Sequence, residues 1–310
     1  MDTIKFNRMT DLSTERHNPE DEKSQLVLLF SEKTMISNPL NLNIVISYGC
    51  NCVGDFYMMK QEEKIPAVSD EEYLSKLEMF LSQLDGLPIE VTITGGEPTL
   101  CPERLIPVLH MVQKHGFQHR TFLTNGSGLL KEWHQKPIIQ YLKEMGAVYN
   151  INLSRQHMNE TKNRQLINGE APTIRDLKQI SSFCDVNHMD IRLSCNIMKN
   201  GVHDFASMME YMEFAEDIGF HHMIFREVPN KAAENVPINP VMDNIKNSEP
   251  FKYIKTIKNS HYTIDVLHYE SYIVKLYRSK RNTNILSNLV YREGRLSNSW
   301  ETDHFYEVKK

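Results

Sequence analysis

The chain has 310 residues, of which 40% are hydrophobic and 24% charged, and its net charge is −5. Those values suit a soluble globular protein with one large domain or two ordinary ones. No Lys/Arg-rich block argues for a nucleic-acid partner, and no apolar run approaches the ~18 residues that a membrane span needs.

Residues 1–24 are charged and aperiodic, and the segment 1–40 is expected to be an arm or lid. It has no apolar signal core, so the protein is expected in the cytoplasm. The five cysteines (Cys50, Cys52, Cys101, Cys184 and Cys195) are odd in number and follow no disulfide pattern, which fits a reducing compartment. "QLVLLF" (25–30) reads as strand or helix. From residue 41 the pattern becomes regular. Strands are predicted at "LNIVISY" (42–48), "EVTITG" (90–95), "RTFLT" (120–124), "VYNINLS" (148–154), "DIRLSCNIM" (190–198) and "HHMIFREV" (221–228).

Helical patterns alternate with them. Ser69 with Glu72 makes a capping box, and Tyr73, Leu74, Leu77, Phe80, Leu81 and Leu84 follow at amphipathic spacing. Pro102 opens a second helix over Leu105, Val108, Leu109 and Val112, which Gly116 ends. A third carries Ile174, Leu177, Ile180 and Phe183, and a fourth runs from about Asp204 to Ile218 and stops at Gly219. Alternating strands and helices imply βαβ units on a parallel sheet, with strands apolar at their centres where helices cover them. The ligand of such a sheet lies at the carboxyl ends of its strands. The Pro/Asn-rich stretch 229–244 reads as a linker. Residues 251–310 read as a mixed cap containing antiparallel strands.

Polar residues gather at those strand ends: Cys50, then "GGEPTL" (95–100), "TNGSG" (124–128), "SRQH" (154–157), "SCN" (194–196) and "FRE" (225–227). In this order, with "SYGCN" after the first strand and "RLSCNIMKNGV" on the fifth, the chain resembles the radical S-adenosylmethionine (SAM) superfamily, in the group around molybdenum-cofactor protein A. The resemblance spans about residues 41–228. It implies an α/β fold, a partial (β/α)6 TIM-type barrel over 41–230, with the N-terminal arm at 1–40 and a small C-terminal α+β extension at 231–310.

The resemblance also assigns roles. Gly95, Gly96, Glu97 and Pro98 would receive the SAM amino group. Glycine lets backbone approach a ligand, and a carboxylate meets an ammonium. Asn125 belongs to the same SAM-binding set. Ser154 and Arg155 match polar residues near the ribose and carboxylate, and Asn196 matches a ribose contact. The backbone around Phe225, from Ile224 to Arg226, matches the edge that borders adenine.

The family's cluster loop reads Cys-x3-Cys-x2-Cys. Here Cys50 holds the first position, Gly54 the second and Tyr57 the third. A cubane is held by cysteine thiolates, so the expectation is SAM bound without a [4Fe–4S] cluster. No metal is expected; were a rearranged cluster to form, Cys50, Cys52 and Cys101 would be its ligands. Cys101 also reads as a plain helix-start residue, Cys184 and Cys195 as small buried residues, and Arg155 as an ion-pair partner. His221 and His222 point to opposite faces of a strand.

Three functions follow. The first is an enzyme acting on a small molecule by polar chemistry at the SAM sulfonium, with Tyr57 and Arg155 as catalytic residues. The second is a true radical enzyme with a substituted cluster. The third is a non-catalytic relative that binds SAM or a partner.

Overall fold

The computed structural model describes residues 23–30, 32–54, 65–117, 119–146, 150–228, 236, 239–246, 248–249, 251–258, 262–279, 286–298, 300 and 305–306. Its elements run β1 (Lys23–Leu29), β2 (Glu32–Val45), α1 (Asp70–Leu84), β3 (Ile89–Thr94), α2 (Pro102–Lys114) and β4 (His119–Thr124). A short hairpin, β5 (Glu132–Trp133) and β6 (Lys136–Pro137), leads to α3 (Ile138–Glu144), β7 (Asn150–Ser154), α4 (Glu160–Ile167) and α5 (Ile174–Val186). Then come β8 (Asp190–Ile197), α6 (Phe205–Asp217), β9 (His222–Glu227) and α7 (Asn239–Lys246). The chain continues with β10 (Phe251–Lys258), β11 (Tyr262–Tyr269), β12 (Tyr272–Ser279), β13 (Leu286–Arg292), β14 (Arg295–Ser297) and β15 (Phe305–Tyr306).

Six strands, β2, β3, β4, β7, β8 and β9, lie side by side in chain order and are all parallel. They are the six strands read from the sequence, and they make the α/β partial barrel. The C-terminal strands sit on both of its edges. β10, β11 and β12 form an antiparallel meander, as the alternation in 261–277 implies, but β12 then pairs parallel with β9. At the other edge β13 pairs parallel with β2. β2 starts at Glu32, so it runs through the boundary expected at residue 40, and its first half pairs with β1.

One face of each barrel strand packs on the helices. Leu42, Ile44, Val91, Ile93, Ile151, Leu153 and Leu193 share a core with Tyr73, Leu77 and Phe80 of α1 and Leu105 and Val108 of α2. Strand residues alternate in direction, so Asn43, Thr92, Asn152 and Arg192 face the barrel interior. The expected continuous apolar centres are therefore half right: the helix face is apolar, while the inner face carries polar residues beside Val45 and Ile224.

The four expected helices are α1, α2, α5 and α6, with Gly116 and Gly219 closing α2 and α6 at positive φ. α3 and α4 were not foreseen, because 7 and 8 residues are too few to display a helical period. α7 falls partly in the stretch read as linker. The Ser69 hydroxyl accepts from Glu72 N at 3.2 Å and starts α1. Ser69→Ala is expected to cost about 1 kcal/mol, read as a lower midpoint in urea unfolding; an unchanged midpoint would show that the cap is redundant. No helix among the described residues is long and apolar enough to cross a membrane.

Candidate functional site

The carboxyl ends of β2 and β3 are stitched together by backbone. Gly96 N donates to Ser47 O and Glu97 N to Gly49 O, each at 2.8 Å. A Cβ on Gly96 would lie 2.1 Å from Gly49 O, and one on Gly95, at φ +152°, would lie 2.6 Å from Ser47 O. The glycine pair is thus required by the neighbouring turn as well as by any ligand. Pro98 opens a single 3-10 turn, Pro98–Leu100.

Glu97 is 0% exposed. Its Oε1 accepts from Thr99 N (3.1 Å), Thr99 Oγ1 (2.6 Å) and Thr124 Oγ1 (2.7 Å), and its Oε2 accepts from Asn125 N at 2.6 Å. Burial pushes its carboxyl above the usual range, against the pull of those donors. The carboxylate expected to meet the SAM ammonium therefore clamps the end of β3 to the end of β4. Asn125 is buried beside it. Its amide donates to Asn51 Oδ1 at 2.8 Å and to Cys52 Sγ at 3.3 Å.

Asn51 was not singled out from the sequence, although it follows Cys50 directly. Its amide reaches Ser127 Oγ (2.9 Å) and Glu170 Oε2 (3.1 Å). Cys52 N donates to Cys50 Sγ at 3.4 Å, and Cys52 Sγ donates to Glu170 O at 3.2 Å. Cys52 also bridges Gly169, where a Cβ would lie 2.1 Å from Asn51 O. The loop is thereby sewn to the end of α4. The neighbouring Cys50 thiol, then burial, push the Cys52 thiol far up.

Cys101 does not join this pair. It packs against the helix layer, its Sγ 3.3 Å from Glu103 Oε1, and burial followed by Glu103 pushes its thiol up to about 11. Among the described residues no group of three or more His, Cys, Asp or Glu could hold a metal ion. Gly54 is buried. Tyr57, with Asp55 and Phe56, lies outside the described residues. Cys184 and Cys195 are buried in the core against the helices.

At the ends of β7 to β9 the structure redistributes the expected roles. Ser154 is exposed at the rim. Arg155, expected to contact SAM and to act in catalysis, is 1% exposed. Its guanidinium donates to the carbonyls of His157 (3.0 Å), Pro172 (3.2 Å) and Met158 (3.2 Å) and lies 5.1 Å from the Phe214 ring centroid. It is a structural tie on the helix side, so the catalytic assignment is corrected. Asn196 is half-buried, and its N–H donates to Gln156 Oε1 at 2.8 Å.

The Phe225 side chain is likewise turned outward, 5.6 Å from the Tyr211 ring of α6. Only its backbone can border a ligand. Alternation then sends Arg226 to the inner face. There its guanidinium lies 4.5 Å over Tyr277 and 6.0 Å from Tyr262, side chains of β12 and β11. The outward turn of Phe225 is the signal that would have found Arg226.

Deeper inside, Arg192 Nη2 lies 2.8 Å from Asp190 Oδ2, and His222 Nδ1 lies 3.6 Å from Asp190 Oδ1. Burial pushes the Asp190 carboxyl up, but Arg192 and His222 outweigh it and hold the group well below the usual range. Burial, then Arg192, bring the His222 imidazole down to about 4, so it is neutral at physiological pH.

No family model matches the chain. The GTP 3',8-cyclase of Actinobacillus pleuropneumoniae serotype 5b (strain L20) is 27% identical over 192 residues, covering 59% of this chain and 51% of that protein. The same-named protein of serotype 3 (strain JL03) is 27% identical over 187 residues, covering 58% and 49%. The chain thus spans about half the length of the curated relatives it matches. Among solved structures, Streptococcus suis SuiB bound to S-adenosylmethionine superposes with a TM-score of 0.51 at 17% identity, over 68% of this chain and 48% of that one. SuiB bound to the precursor peptide SuiA gives 0.53 at 16%, over 68% and 46%. These structures share the partial-barrel fold. Together with the ordered strand-end motifs, the sequence relatives and the shared fold support the chain's resemblance to the radical SAM superfamily.

Proposed function

We propose that this chain binds SAM at the mouth formed by the ends of β2, β3, β4, β7, β8 and β9, and uses it in polar chemistry independent of a three-thiolate cluster. The observation that carries the reading is the donor set. A cubane with one iron open to SAM needs three protein thiolates. The mouth offers two, Cys50 and Cys52; Gly54 is a buried glycine, residues 55–64 contain no cysteine, and Cys101 packs elsewhere. The residues present do not fit that group.

The groups that support SAM binding are the backbone at Gly95, the rim side chains Ser154 and Asn196, and Arg226 as the cation for the carboxylate. Arg226 takes over the part first given to Arg155. SAM carries electrophilic carbons next to its sulfonium. A positioned nucleophile can take the methyl group or the aminocarboxypropyl chain, or the chain can cyclise, and positioning alone lowers such a barrier substantially. The nucleophile belongs to a small-molecule substrate or to the chain. A second reading, radical chemistry on a non-standard cluster, is favoured by the juxtaposed Cys50 and Cys52 thiols.

The test is anaerobic purification with iron and sulfide supplied, then incubation with SAM and candidate substrates with and without dithionite. The expected result is less than one iron per chain, with S-adenosylhomocysteine or methylthioadenosine formed in air. About four irons per chain with reductant-dependent 5′-deoxyadenosine would establish the second reading instead.

A further inference from the structure

We infer that the cleft beside the cysteine loop, walled by the turn after β4 and by the connection from α4 to α5, is a binding site for a zwitterionic effector, an amino acid or a short peptide. The cavity measures about 540 Å³, within the range of small-molecule sites. Four charged side chains line it: Lys131, Arg164, Glu170 and Asp176. Leu130, Ala171 and Pro172 supply an apolar wall. The charged groups leave binding capacity unused. Lys131 Nζ lies 3.7 Å from Glu170 Oε2, too far for a good hydrogen bond. The exposed Arg164 guanidinium makes no hydrogen bond or ion pair among the described residues. Glu170 Oε2 accepts from Asn51 at 3.1 Å, and Asp176 Oδ2 accepts from Thr173 N (2.9 Å) and Thr173 Oγ1 (2.8 Å). The second oxygen of each carboxylate accepts from no described group.

Two cations and two carboxylates give the lining no net charge. A simple anion would meet the carboxylates, and a simple cation would meet Lys131 and Arg164. A molecule carrying both signs satisfies both pairs. Its carboxylate takes the Arg164 fork and Lys131, its ammonium takes the free oxygens of Glu170 and Asp176, and a small aliphatic body covers the apolar wall. Asn51 connects this cleft to the mouth. Its amide donates to Ser127 Oγ and Glu170 Oε2 on the cleft wall, while its Oδ1 accepts from the Asn125 amide. Cys52 hangs on the same wall, through Glu170 O and the bridge to Gly169. An ammonium drawn to Glu170 competes with Asn51 for that carboxylate, so an occupied cleft loosens the loop that carries Cys50 and Cys52. The site does not depend on SAM.

The experiment titrates the full chain by calorimetry with L-alanine and with L-alanyl-L-alanine, each also in its N-acetyl form, which lacks the ammonium, and its amide form, which lacks the carboxylate. The tighter of the two zwitterions identifies the guest as an amino acid or a peptide. Either blocked form of it is expected to bind roughly tenfold more weakly, the loss of one hydrogen bond to a charged group. Arg164→Ala is expected to weaken the zwitterion by a similar factor while the urea midpoint holds, since that side chain has no hydrogen bond to lose. With the zwitterion bound, Cys50 and Cys52 are expected to react faster with a thiol-specific reagent, as read by peptide mapping. No binding of either zwitterion, equal binding of the blocked forms, or an unchanged affinity in Arg164→Ala would overturn the site. Binding with unchanged reactivity of both thiols would overturn its action on the mouth.

Discussion

Arg104→Met is expected to lower the unfolding free energy by about 3–5 kcal/mol, the cost of breaking a buried ion pair from one side. Arg104 stands two residues inside α2, and its guanidinium collects four partners. Nε donates to Asp70 at 2.8 Å, Nη1 to Ile46 O at 3.0 Å and to Glu293 Oε1 at 3.2 Å, and Nη2 to Val68 O at 3.3 Å. The Tyr73 ring lies beneath it at 4.2 Å. Glu293, in the β13–β14 turn, is 5% exposed and its Oε2 accepts from Val68 N at 3.1 Å. One side chain therefore ties the end of β2, the approach to α1 and the C-terminal strands into a frame at the barrel mouth.

Lysine cannot replace a fork that serves four directions, so Arg104→Lys should fall between wild type and Arg104→Met. The double variant Arg104→Met with Glu293→Met removes the stranded carboxylate. It should recover part of the loss, short of what the unpaired carbonyls of Ile46 and Val68 and the unpaired Val68 N–H retain. Urea unfolding of the four proteins decides this. A loss under about 1 kcal/mol, the worth of an exposed pair, or no recovery in the double variant would show that the frame does not depend on the pair.

The parallel core was legible because each strand carries its own apolar stretch and each long helix its own period. The arm was not, since β1 is defined by pairing with the first half of β2, and nothing in "QLVLLF" names that partner. β12 posed the same difficulty. Its hairpin with β11 is local, but its parallel seat beside β9 is a long-range event.

At the site, the motif glycines were found for a ligand's sake, while Gly96 is pressed against Gly49. Glu97 was read as a ligand group because a carboxylate suits an ammonium; its four donors come from turns that only the fold brings together. Arg155 was within reach of the sequence. In "NINLSRQH" the apolar Ile151 and Leu153 mark the helix face, and Arg155 shares their parity. The same period of two, read in "NINLS", "DIRLSCN" and "HMIFRE", places Asn150, Asn152, Arg192, His222 and Arg226 on the inner face.

Lowering the pH from 6.5 to 4 is expected to cost the wild-type chain roughly 3 kcal/mol more than His222→Gln, at about 1.4 kcal/mol for each pH unit of that interval. Burial holds the His222 imidazole down, Arg192 and Lys275 add to it, and Asp190 opposes them, leaving a value of about 4 against an ordinary 6.5. The folded value lies below the unfolded one. As pH falls through 6.5 the unfolded chain takes up the proton first, and each further step down favours unfolding. The contribution is complete above 6.5 and stops shrinking below 4, where the folded chain is protonated too. Glutamine cannot titrate, yet it keeps an amide toward Asp190. Urea unfolding at a series of pH values, read as the difference between the two proteins, isolates this group from the other carboxyls and histidines. Parallel curves would mean that the ring is not held neutral in the interior.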